Sequence, residues 1–92
     1  PERGEEEDLV EARGFFDRAI SVAPKELAAW VNRGEVNLRE GKILEAAQDF
    51  AEAVKLDPES KDPLTQRARV LAAAALETIE KSQQEAAGAP KK

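Results

Sequence analysis

Ninety-two residues suffice for one small core, and a composition 41% hydrophobic and 36% charged excludes a chain disordered throughout. A net charge of -5 argues against non-specific nucleic-acid binding, which needs a basic face to displace counterions. With neither cysteine nor histidine there is no disulfide, no thiol nucleophile and no imidazole to serve as base or metal ligand.

The chain opens at Pro1 without an initiator Met, which suggests a trimmed start, and residues 1–8 read as a flexible acidic leader. Over residues 9–22, Leu9, Ala12, Phe16, Ala19 and Ile20 recur at three- and four-residue steps, the stripe of an amphipathic helix. Ala23-Pro24 ends it, because the residue before a proline is pushed out of the helical region. A second helix is expected over about 26–40, with Leu27, Trp30, Val31, Gly34 and Leu38 as apolar or small positions and Gly41 as its terminator. A third spans about 43–56, carrying Ala46, Ala47, Phe50, Ala53 and Val54, and Asp57-Pro58 closes it. The last, about 62–84, opens with Asp62 as N-cap and Pro63 in the first turn. Residues 85–92 then read as a flexible tail. No stretch alternates as a strand would, so the expected class is all-α. The longest strongly apolar run, Val70 to Leu76, falls far short of the roughly 20 residues of a membrane span.

The chain repeats itself. Glu11, Ala12, Phe16, Ala19 and Pro24 return as Glu45, Ala46, Phe50, Ala53 and Pro58, each displaced by 34 residues. Small residues at Gly34 and Ala46 would let two antiparallel helices approach, with Trp30 and Phe50 filling the space around the crossing. That period, with Trp30, Gly34, Gly41, Ala46, Phe50, Ala53 and Pro58 in order, resembles the tetratricopeptide repeat. The resemblance implies an antiparallel helix–turn–helix array: a half repeat, one full repeat from Leu27 to Ser60, and a long capping helix. At two positions where the family usually carries Leu and Tyr, this chain has Arg33 and Asn37. Two explanations stay open: the helix they would touch is missing, or they mark a modified ligand surface.

In that family the first helices line a concave groove that holds a peptide or a partner helix. Transferred by register, the groove residues are Ala28, Val31, Asn32, Glu35, Leu38 and Arg39 on the second helix. On the cap they are Thr65, Gln66, Arg69, Ala72 and Ala73. Chaperone-tail binders of this family clamp a terminal carboxylate with Lys and Asn where this chain has Val31 and Glu35, which disfavours that ligand. The cap is also similar to the C-terminal region of the tetratricopeptide chaperones of type III secretion, an alternative that implies a cytoplasmic chaperone. Phe15 and Phe16 on the half repeat, with Val70 and Ala74 on the cap, are candidates for an exposed interface, which adds self-association as a homodimer to the alternatives. The run from Glu5 to Asp8 lacks the spacing and glycine of a calcium loop, and no phosphate-cradling glycine loop is present. The expectation is a non-enzymatic interaction module with no cofactor or metal and with another protein as partner, placed in the cytoplasm.

Overall fold

The computed structural model describes residues 4–88, and within them the chain forms four α-helices and no strand. They are α1 (Glu5–Val22), α2 (Leu27–Arg39), α3 (Ile43–Leu56) and α4 (Pro63–Ala87). Helix α1 begins four residues before the hydrophobic stripe and takes in half of the expected leader. Its first turn, Glu5 to Asp8, is all carboxylate, which suits the positive end of the helix dipole. Helix α4 runs three residues beyond the expected stop at 84, through Glu85, Ala86 and Ala87, all good helix formers. The remainder of the leader (1–3) and of the tail (89–92) lies outside the described residues.

Each connection has an identifiable lock. Trp30 Nε1 donates to the Pro24 carbonyl at 2.8 Å, tying the α1–α2 turn to the face of α2. Gly41 adopts φ +79°, the left-handed conformation that favours glycine after a helix. The α3–α4 turn is organised by Asp57, whose carboxylate accepts from the Lys61 amide at 3.1 Å and the Asp62 amide at 2.9 Å. The Asp62 amide, chiefly, holds the Asp57 carboxyl below its ordinary range. Asp62 Oδ1 then caps α4 by accepting from the Leu64 amide at 2.8 Å.

The core lies where α2, α3 and α4 meet. Val31, Ala46, Phe50, Ala53 and Ala68 are sealed from solvent, with Leu27, Trp30, Leu38, Leu64, Leu71 and Ala72 packed around them. A Cβ built on Gly34 would stand 2.5 Å from Phe50 Cε1, so the glycine makes room for the ring. Along α4, Ala68 and Ala75 are buried and Leu64, Leu71 and Ile79 half-buried, forming the stripe that seats this helix on α3. Helix α1 packs only on α2.

Arg33 and Asn37 are engaged within the fold, and both also line a recess of about 290 Å³ with Arg13, Asp17, Lys42, Glu45, Gln48 and Asp49. The Arg33 guanidinium reaches two helices at once, with Nε and Nη2 on the Asp49 carboxylate at 3.0 and 2.7 Å, and Nη1 on Asp17 at 2.8 Å. Asn37 Nδ2 donates to the same Asp49 at 2.9 Å, and the guanidinium carbon sits 5.1 Å from the Trp30 ring. Asp49 is only 4% exposed. The two polar residues therefore neutralise and orient a buried carboxylate of α3, and Asp17 ties α1 to the same cluster.

Candidate functional site

The repeat makes α1 a copy of α3, and the two copies are covered differently. Ala46, Phe50 and Ala53 are fully buried beneath α2 and α4. Their counterparts Ala12, Phe16 and Ala19 are only half-buried. Phe15 is 60% exposed and packs edge-on against Phe16, ring centroids 5.4 Å apart, so it does not fold back into the local core.

Between α1 and α2 this leaves a groove of about 420 Å³, lined by Phe15, Phe16, Ala19, Val22, Ala23, Glu26, Ala28, Ala29 and Asn32. It continues past Phe16 and Asn32 into a smaller recess of about 180 Å³ formed with Glu35, Val36 and Arg39. One end is aromatic and aliphatic and the other carries a carboxylate and a guanidinium. Apolar surface with a few convergent polar groups is the usual make-up of a recognition site.

The expected groove residues divide. Ala28, Asn32, Glu35 and Arg39 line this groove together with Phe15 and Phe16, two sets that the sequence analysis kept apart. Val31 and Thr65 do not reach a surface: both are fully buried, because α4 closes over α2 and α3 there. Leu38 and Ala72 pack against the core. Gln66 Nε2 donates to the Ser60 carbonyl at 3.0 Å. Arg69 donates to the Pro58 carbonyl at 2.8 Å and to the Ser60 hydroxyl, so both side chains brace the α3–α4 turn. The cation facing Glu35 is Arg67, which makes a two-pronged pair at 2.8 and 3.0 Å. Glu35 accordingly raises the Arg67 pKa. Ala73, Val70 and Ala74 lie exposed on α4, and the groove includes none of them.

Reasoning from sequence missed Asp49, Asp17 and Arg67. The signal for Asp49 was available: a carboxylate amid the apolar stripe of α3, with Arg33 and Asn37 both departing from apolar types one turn apart on α2.

A short antiparallel helix pair closed by a turn and capped by the next helix is the architecture of a helical repeat. Comparison with known families agrees: residues 27–60 match the tetratricopeptide repeat. The matched residues are the helix pair α2 and α3, flanked by α1 and α4. Such repeats are non-catalytic protein-interaction units. Comparison with curated proteins and with solved structures gives no match. Among the described residues, no helix is long and apolar enough to cross a membrane.

Proposed function

We propose that the chain is a non-enzymatic adaptor that holds a segment of another protein in the groove between α1 and α2. The observation that carries this reading is Phe15, 60% exposed beside a half-open Phe16 at the mouth of an apolar groove. An exposed aromatic pair of this kind supplies the buried anchor area on which interface energies depend. Asn32 and Arg39 offer one amide and one cation along the floor, beside the Glu35–Arg67 pair, to fix the orientation of a bound segment.

A photo-reactive residue placed at Ala28, inside the groove, and at Gln48, on exposed α3, tests the site. A partner should cross-link from position 28 and not from 48, and Phe16→Ala should abolish its capture. Equal cross-linking from both positions, or capture indifferent to Phe16, would remove the groove from consideration.

A further inference from the structure

Helix α4 has two apolar faces, and the fold uses one of them. Leu64, Ala68, Leu71 and Ala75 seat it on α3. About half a turn round the helix, Val70, Ala73 and Leu76 follow one another at three-residue steps. They stand open to solvent, Val70 at 69% and Leu76 at 53% exposure. The two ends of this outer face carry opposite charge. Toward the N-terminus lies Arg69, whose contacts, the Ser60 hydroxyl and the Pro58 carbonyl, are both uncharged and leave its positive charge in place. Toward the C-terminus lie Glu77, Glu80 and Lys81, all exposed and together net negative.

A face with a small residue at its centre, an apolar residue on either side, a cation at one end and carboxylates at the other is complementary to itself when reversed. Two copies laid antiparallel about Ala73 bring Val70 level with Leu76 of the second copy, and Arg69 level with its Glu77, each contact being made twice. Glu80 of the second copy follows one turn beyond, on the same side as Arg69. Ala73 at the crossing lets the two helix axes approach closely. A parallel arrangement would instead set Arg69 beside Arg69 and glutamate beside glutamate, which like charge opposes. We propose that the outer face of α4 is a self-association surface, through which two copies of the chain join antiparallel with Ala73 at the crossing.

The repeat register gives this face to no neighbouring repeat helix. Helix α3 covers α2 on the side of Val31, Gly34 and Leu38. Their counterparts 34 residues on, Thr65, Ala68 and Ala72, lie on the inner side of α4, which is already spent on the core. Helix α4 also runs unbroken through Ala75, the counterpart of Gly41, where the chain turns between α2 and α3. None of the outer-face residues lines the groove between α1 and α2, so the pairing is independent of that groove and leaves it open on each copy. One helix face is a small interface, and the association it supports is weak and concentration-dependent.

Sedimentation of the intact chain over a concentration series tests this. The average mass should climb from monomer toward dimer. Ala73→Glu, at an exposed position, should raise the dissociation constant at least tenfold with helicity by circular dichroism unchanged, while Phe15→Glu on α1 should leave it unaltered. The chain has no cysteine, so single introduced thiols report the geometry under mild oxidation. Ala73→Cys should cross-link to its own copy. Gln84→Cys, which antiparallel pairing holds about 33 Å from its own copy at about 1.5 Å per residue, should not, and neither should Gln48→Cys on α3. A monomer throughout the series would overturn the proposal. Association indifferent to Ala73→Glu, or lost with Phe15→Glu, would place the interface away from α4 and overturn it equally. Cross-linking from position 84, or none from position 73 within a dimer, would overturn the antiparallel crossing.

Discussion

Gly34 and Phe50 are complementary: the ring occupies the space a Cβ at position 34 would need, with 2.5 Å between that position and Cε1. Phe50 is fully buried and cannot swing aside freely. Gly34→Ala gains helix propensity, about 1 kcal/mol, but forces the two helices apart. The expected net result is destabilisation of roughly 1–3 kcal/mol, read as a lower urea midpoint with unchanged slope.

The two phenylalanines of the repeat should differ in energetic weight. Phe50→Ala opens a cavity in the sealed core and should cost about 3–5 kcal/mol. Phe16→Ala acts at a half-open site, where solvent already reaches part of the ring, and should cost about 1–2 kcal/mol. Parallel urea titrations of the two variants check the difference.

The cluster of Arg33, Asn37 and Asp49 predicts a non-additive series. Arg33→Leu alone leaves the nearly buried Asp49 with only the Asn37 amide, and should destabilise by about 1–3 kcal/mol. Replacing all three with apolar residues removes the charge together with its partners. The triple variant Arg33→Leu, Asn37→Leu, Asp49→Leu should match or exceed the parent in thermal midpoint. A triple variant less stable than Arg33→Leu would show that the network itself stabilises the fold.

Asp57 predicts an acid-side dependence. Its folded carboxyl titrates below the ordinary 3.8, mainly because the Asp62 amide donates to the charged form. The stability this contributes is fully present above the unfolded pKa and is lost as pH falls through the folded one. Asp57→Ala should therefore be less stable than the parent at neutral pH, and the gap should close as pH drops below about 3.8. Thermal melts of both proteins from pH 7 to pH 2 give the comparison.

How much of this was legible beforehand depended on the kind of contact. Helix positions followed from apolar spacing and from Pro24, Gly41, Pro58 and Asp62, because turn and cap chemistry is local. The 34-residue period placed Phe50 against α2 for the same reason that it identified Phe16 as its copy. What the sequence did not disclose was long-range and polar. Arg33 could have faced solvent or a ligand, and only the placement of α3 shows it closing on Asp49. Position by register failed along α4 because this helix lies flush on the core: Thr65 is buried, and Arg67, two residues on, reaches Glu35 while Arg69 turns to the loop.

That the groove between α1 and α2 binds a partner segment is tested most directly by amide chemical-shift mapping during titration with an amphipathic helical peptide, the Leu27–Arg39 sequence carrying Arg33→Leu and Asn37→Leu. The largest shifts should fall on Phe16, Ala19, Ala28 and Asn32, with Val70, Leu76 and Thr78 on α4 unmoved. A map centred on α4, with Phe16 and Asn32 unshifted at saturation, would contradict it.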